Sequence, residues 1–245
     1  MTENHDEMDA WYLLRDGDTD KGLTLLKKAY VQSATPSHIM ELGVAYIWLN
    51  DYAAAVEHFG SMIRQFPHLM SSFYGMAGVA HWCIEEPAAA VEYWHEGLNA
   101  QYADAAGLGA HLPLLLFLAS ILEPETFSLS QAEKNLIGRA EDKRARIWPG
   151  TLIRFVLGMG SSIDTLALAS VTSESESKHR KWLVDFYTQI LEFRDKRSAS
   201  ERLVKFMRIA TNGLQPSFSD RRYFLLLIWS EEFFIARHLV ESCKI

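Results

Sequence analysis

Cysteine is scarce in this sequence: only Cys83 and Cys243 occur among 245 residues. Two cysteines so far apart match neither a zinc-ligand spacing nor the disulfide framework of a small secreted domain. We therefore expect no metal and no cofactor. The first residues, TENHDEMDA after Met1, are acidic and polar, which is unlike a secretory signal peptide and predicts a cytoplasmic protein.

Long apolar runs are also missing. The longest is LPLLLFLASIL, which begins at Leu112 and has 11 residues, whereas a membrane-spanning helix needs roughly 20. This excludes a membrane-spanning class and predicts no membrane partner. Alternating apolar and polar stretches bounded by hairpin turns are missing too, so the sequence does not favour β-strands.

Basic residues are few in the first half of the chain. Residues 1–122 carry 5 Lys and Arg against 15 Asp and Glu, whereas residues 123–245 carry 19 against 16. An acidic surface attracts basic partners and repels nucleic acid, so we expect no nucleic-acid partner. The alternative is that these charges only keep the surface solvated.

Catalytic motifs are absent as well. His95-Glu96 begins the metalloprotease pattern, but the fifth residue is Asn99 instead of a second histidine. No G-x-S-x-G elbow occurs. The acidic pairs Glu85-Glu86 and Glu231-Glu232 are interpreted as solvated helix ends. We predict that the protein is not an enzyme, although a fold could still assemble a site from distant residues such as His81, His111 and Asp104.

What the sequence does contain is a repeat. The stretch YAAAVEHF begins at Tyr52, and PAAAVEYW begins 35 residues later at Pro87. The same shift takes Gly43 to Gly78 and Phe59 to Trp94. This period is typical of stacked helix pairs that share a core. We expect Ala55 and Ala90 where two helices approach closely, with Phe59 and Trp94 filling the adjacent gap.

The predicted fold is all-α: one domain over residues 1–245, built as a right-handed stack of helix pairs that becomes degenerate after residue 122. Punctuation by Gly, Asn, Asp and Pro predicts seven helices in the first half, at 5–15, 19–32, 37–49, 53–66, 71–83, 87–99 and 109–122. Further helices are predicted at 131–145, 151–158, 163–170, from 172 through 193, from 198, and continuously over 221–241.

The stretch from His38 to Pro67 resembles a tetratricopeptide repeat. Leu42, Gly43 and Tyr46 match its first helix, Ala55 and Phe59 match its second, and Pro67 matches the closing proline. A second unit over 73–99 departs more, and a weaker unit covers 9–33. The subtype that clamps a peptide carboxylate is excluded, because the clamp positions hold Met40, Val44, Gly75 and Val79, which have no suitable donor.

The resemblance implies a concave face lined by the first helix of each pair. Residues assigned to that face are Ser37, Met40, Val44, Ile47, Trp48, Ser72, Gly75, Val79, Trp82 and Cys83. We predict partner binding by Met40, Trp48, Tyr74 and Trp82, since aromatic and Met side chains often anchor interfaces. The alternative is that Trp48 and Trp82 pack against the next helix pair.

A small-residue segment between two helices is a second candidate binding edge. It carries Tyr102, Asp104 and His111 on a stretch that plain repeats lack. The alternative is a capped turn in which Asp104 bonds to helix amides.

Longer phrases carry a second resemblance. The order EYWHEGLNAQYADAAG, LPLLLFLAS, WPGTLIRFVLG and EEFFIARHLVE is similar to repeat-containing immunity proteins that accompany polymorphic toxins of the Rhs and contact-dependent types. That resemblance implies a protein that binds a cognate, basic C-terminal toxin domain and occludes its active site or substrate access. Acidic residues would speed association: Glu41, Asp51, Glu85, Glu86 and Asp104. The alternative is a general adaptor that binds a helix or peptide of a regulatory or secretion partner.

Overall fold

The computed structural model describes residues 5–66, 71–101, 108–161, 173–196 and 221–242, and these ranges contain helices and no β-strand. The twelve α-helices of the described residues are α1 His5–Arg15, α2 Thr19–Gln32, α3 Pro36–Trp48, α4 Tyr52–Gln65, α5 Ser71–Cys83, α6 Pro87–Gly97, α7 His111–Leu122, α8 Leu129–Ala140, α9 Gly150–Val156, α10 Glu174–Lys196, α11 Arg221–Ile228 and α12 Glu231–Ser242. A short 3-10 helix, Lys143–Arg146, precedes α9. Consecutive helices pack against each other along the chain. The predicted all-α stack is thereby confirmed, and its first seven helices begin and end within two residues of the predicted positions.

The turn inside each of the first three helix pairs has the same backbone form. Gly17, Asn50 and Glu85 each have a positive φ, of 90°, 60° and 64°. The next residue donates its amide to a carbonyl five residues back; Asp51 N lies 2.9 Å from Tyr46 O, and Glu86 N lies 3.0 Å from His81 O. This is the bond that closes a helix at a left-handed residue. The weak first unit therefore has the same turn as the two clearer ones.

Glycines set how closely the helices of a pair approach. A Cβ atom at Gly43 would overlap the Phe59 ring, and one at Gly78 would lie 2.6 Å from Trp94 Cδ1. Phe59, Trp94, Ala55 and Ala90 are all completely buried. The close approach expected at the two alanines is confirmed, and the glycine positions of the repeat are what give each aromatic ring its space.

Two helices form the centre of the molecule. In α5, 11 of 13 residues are buried, and in α7, 10 of 12. Such helices need neighbours on every side, because a helix that is apolar all round cannot face water. None of the helices in the described ranges is long and apolar enough to cross a membrane.

The C-terminal prediction was wrong in one respect. The segment 221–241, expected as one helix, consists of α11 and α12 with a break at Trp229 and Ser230. Ser230 precedes two acidic residues, and its carbonyl accepts from the Phe233 amide at 3.2 Å. Serine followed by carboxylates is a favourable helix start, because orphan amides and the helix dipole both prefer oxygen there.

Three helix predictions remain: residues 131–145, residues 163–170 and the stretch from residue 198. The helix predicted over 131–145 ends as an α-helix at Ala140, and the 3-10 helix follows, with Asp142 accepting from the Arg144 amide at 2.8 Å. The helices predicted at 163–170 and from 198 lie outside the described residues.

The C-terminal helices return to the first helix pairs. Arg237 of α12 donates to the Trp48 carbonyl at 2.8 Å, and its guanidinium lies 5.3 Å from the Trp48 ring centroid. Phe224 of α11 meets the same ring edge-on, with 5.5 Å between centroids. This joins residues almost 190 positions apart, so the two halves of the chain share one core.

We predict that Gly78→Ala destabilises the protein by about 1–3 kcal/mol, because the added methyl must displace the buried Trp94 ring. The measurement is the urea unfolding midpoint. Gly138→Ala is the matched control: a Cβ there meets nothing within 4 Å, so helix propensity alone should stabilise it by up to about 1 kcal/mol. Equal midpoints for the two variants would contradict the proposed packing.

A second prediction concerns the contact between the two halves. Arg237→Ala should cost about 2 kcal/mol, since a charge-assisted hydrogen bond and a cation–π contact are lost together. Amide hydrogen exchange should rise in α12 before it rises in α2. The control is Arg194→Ala, whose partner is the neighbouring Asp195 at 2.8 Å; that surface pair should contribute about 0.5 kcal/mol or less.

Candidate functional site

The predicted concave face is not open. Met40, Val44, Val79, Trp82 and Cys83 are each at most 5% exposed. The chain's own C-terminal helices contact this face at Trp48, through Arg237 and Phe224, and at Gly75, through Glu231. The expectation of an accessible groove lined by these residues was therefore wrong. Sequence periodicity could not tell that helices within residues 221–242 would contact these residues.

The aromatic residues predicted as anchors pack within the protein. Trp82 stacks on Trp94, with 5.7 Å between ring centroids and 27° between planes. Trp48 is half-buried under α11 and α12. Tyr74 is 7% exposed and lies directly against Gly97, where a Cβ would come within 2.5 Å of the Tyr74 Cβ. Both tryptophans pack inside the protein, but neither is seen against the next helix pair: Trp82 stacks within its own pair, and Trp48 meets α11 and α12.

The acidic residues predicted to aid association divide into two groups. Glu41 is only 8% exposed, and it accepts a hydrogen bond from the Ser37 hydroxyl at 3.3 Å; its expected surface role was wrong. Asp51, Glu85 and Glu86 are exposed. Tyr102 and Asp104 lie outside the described residues, so the predicted binding edge is represented only by His111.

Exposed carboxylates recur with the helix-pair period and form what we call the acidic ridge: Asp51, Glu57, Glu86 and Glu92. Asp51 and Glu86 each precede the second helix of a pair, and Glu57 and Glu92 lie in the first half of those helices. The Tyr93 side chain of α6 reaches α4, since a Cβ at Gly60 would lie 3.4 Å from the Tyr93 hydroxyl.

The ridge is weakly compensated. Within the described ranges, none of its four carboxylates forms an ion pair with Lys or Arg; the pairs found there involve other acids. Glu86 meets the His81 ring at 2.8 Å. The ridge therefore presents negative charge to the solvent on two adjacent helices.

A cavity of about 310 Å³ lies between α7, α9, α10 and the turn that joins α11 to α12. Its apolar wall includes Trp148, Trp229 and one leucine from each of four helices, α7, α9, α10 and α11. Its polar wall includes His111, His179, Arg180 and the adjacent carboxylates Glu231 and Glu232.

The two glutamates are buried, at 7% and 5% exposure. Their interpretation as solvated helix ends was therefore wrong, whereas Glu85-Glu86 are exposed as predicted. Glu231 fits against α5 at Gly75, where a Cβ would lie 3.2 Å from the Glu231 Cδ. The preceding repeat carries Met40 at the matching position, so the small residue in the second repeat makes room for the carboxyl group.

Hydrogen bonds fix the second carboxyl group. Tyr187 donates to Glu232 Oε1 at 3.0 Å, and Ser230 donates to Glu232 Oε2 at the same distance. Burial raises the pKa of Glu231 to about 7. Burial, followed by the Glu231 charge, also raises the pKa of Glu232, although its two donors oppose that shift. A proton is therefore held at this pair in a pH range where ordinary carboxyl groups are ionised.

The facing side of the cavity is formed by α10. His179 has its pKa lowered to about 4 by burial and, to a lesser degree, by Arg180, so its imidazole is neutral near pH 7. Its Nε2 atom is buried without a hydrogen-bond partner. Arg180 lies 5.2 Å from the centroid of the Trp148 ring.

Sequence reasoning missed most of this site. The sequence SEE, a serine followed by two glutamates between two apolar stretches, was an available signal for a helix start. His179 stands in the polar stretch TSESESKHR, which offered no sign of burial. Chemically, the cavity offers hydrogen-bond acceptors, a neutral imidazole and aromatic faces. In the described ranges, no group of three or more His, Cys, Asp or Glu side chains could hold a metal ion.

We predict that Glu231→Gln flattens the pH dependence of stability. A carboxyl group with a raised folded pKa contributes stability fully below its ordinary value of 4.5, and loses that contribution as pH rises through about 7. Between pH 5 and pH 8 the wild type should therefore lose about 2 kcal/mol that the variant keeps. Urea unfolding at the two pH values measures this difference.

The quantity to compare is the stability of the wild type minus that of the variant, because other titratable groups around Glu231 also contribute to the pH profile. These groups are Glu232, Tyr187, His111, His179, Arg180 and Glu176. Glu57→Gln, at an exposed position, is the control and should keep the wild-type profile. Identical profiles for wild type and Glu231→Gln would contradict the buried, protonated carboxyl group.

Comparison of this chain with protein-family models, with curated proteins and with solved structures finds no match.

Proposed function

We propose that this protein is a non-enzymatic inhibitor that binds a basic, folded protein domain and blocks its activity, as an immunity protein does for its cognate toxin. The observation that carries the proposal is the acidic ridge. Regularly spaced carboxylates on packed helices give a preformed negative surface, which attracts a basic partner and orients it before contact.

The identity of the partner as a toxin domain rests on the sequence resemblance to repeat-containing immunity proteins. The ridge supports a basic partner of that kind, because opposite charge on a toxin surface would accelerate association. An inhibitor of a toxin must bind before the toxin acts. A rigid helical stack bound over the toxin would then block the toxin's active site or the access of substrate to that site.

The adaptor alternative has less support. Peptide-binding repeats use an open groove lined by the first helix of each pair. In this chain most of the corresponding residues are buried, and the C-terminal helices contact that face at Trp48 and Gly75. A short peptide would have to displace α11 and α12, whereas a folded partner can meet the ridge without rearrangement.

The first test is to find the partner. A tagged full-length chain is used as bait in cells of the source organism, and proteins that survive a high-salt wash are identified by mass spectrometry. We expect one dominant basic partner, encoded as the C-terminal part of a large secreted protein. Co-expression with that domain should then restore growth to cells that the domain alone kills.

The second test assigns the surface. Glu57→Lys combined with Glu92→Lys should slow association with the purified partner by at least about tenfold at low salt, with a smaller change in dissociation. Matched reversals outside the ridge, Glu123→Lys with Glu141→Lys, should leave the rate within about twofold. Equal association rates for both double variants at all salt concentrations would overturn the assignment of the ridge.

A further inference from the structure

The cavity beside Glu231 and Glu232 is separate from the acidic ridge and has no part in the proposed inhibition. Its volume, about 310 Å³, is at the lower end of the range for small-molecule sites. The ridge belongs to α4 and α6, whereas the cavity lies among α7, α9, α10 and the turn between α11 and α12. Any ligand of this cavity is therefore a second binding partner.

Apolar and aromatic side chains form most of the cavity wall. Trp148 and Trp229 provide indole faces, and Leu114, Leu152 and Leu183 add aliphatic surface. Trp229 is 38% exposed although it is a large apolar residue. An apolar body of about nine or ten heavy atoms is of a suitable size for such a space.

The charges of the cavity are unbalanced at its buried end. Among the described side chains, no Lys or Arg forms an ion pair with Glu231 or Glu232. Burial lowers the pKa of Arg180, and the charge of Glu176, rather than that of Glu231 or Glu232, opposes this shift. A buried carboxyl group without a cation keeps its proton instead of its charge, and a cation that enters the cavity would stabilise the ionised form.

A neutral hydrogen-bonding group faces the same space. The buried Nε2 of His179 has no partner, although His179 lines the cavity. Buried polar atoms are normally satisfied, so an unpaired imidazole nitrogen beside a cavity is a position at which a polar ligand atom would fit. This observation is independent of the two carboxyl groups.

We propose that this cavity binds a small organic cation, a primary amine on an aromatic or apolar body. Its ammonium group would donate to the carboxylates of Glu231 and Glu232, and its body would lie between the indoles and the leucines. An ammonium group has three donors and no acceptor, which suits a pair of acceptor groups. A cation also gains from the faces of the two Trp rings.

Isothermal titration calorimetry of the full-length protein at pH 7.5 tests the proposal, with 2-phenylethylamine as the probe. We expect a dissociation constant of about 1 mM or lower, given the size of the probe. The neutral analogue 2-phenylethanol should bind at least about tenfold more weakly, because it lacks a charge-assisted hydrogen bond. The anion 3-phenylpropionate should show no binding.

Two variants locate the site. Glu231→Gln should weaken the amine at least about tenfold while changing the alcohol little. Trp229→Ala removes a partly exposed part of the cavity wall and should weaken the binding of amine and alcohol alike. This second variant keeps the test valid if Glu231→Gln, at a buried position, alters folding. Glu85→Gln is the surface control and should bind as the wild type does. Absence of amine binding, equal binding of all three compounds, or unchanged binding by both cavity variants would overturn the proposal.

Discussion

Close packing at two glycines of α5 is the constraint on which this structure depends. Gly78 lies against the Trp94 ring, and Gly75, almost one helical turn earlier, lies against the Glu231 carboxyl group. The Trp94 indole also donates to the Gly75 carbonyl at 3.0 Å. A helix with larger residues at these two positions would hold its neighbours further apart. The repeat stack and the C-terminal helices therefore meet at the same 13-residue element.

That arrangement determines where function can reside. Covering the first helices of the pairs with α11 and α12 removes the aromatic groove from the surface and leaves exposed charge on the second helices. The same covering brings Glu231 and Glu232 into the interior beside α7 and α10. The acidic ridge and the cavity are thus two consequences of one packing event, one at the surface and one inside.

The energetic character of the two sites differs. Exposed carboxylates on the ridge are screened by water and salt, so they act mainly on the rate and orientation of an encounter. The carboxyl groups in the cavity are desolvated, and they influence stability, protonation and the class of ligand that can enter. Residues of one chemical type therefore have different roles because their surroundings differ.

The sequence by itself determined the helices of the first half, their pairing and their glycine–aromatic joints, because Gly43 and Gly78 each contact an aromatic residue only 16 positions further along the chain, in the same helix pair. It also identified Asp51, Glu85 and Glu86 as surface charges. Only the tertiary structure decided that Trp82 is buried, that Glu231 lies inside the protein and that His179 lines the same cavity. The position of Glu231 depends on its contact with Gly75, more than 150 positions away in the chain, and local periodicity carries no information about which distant helix will cover a given face.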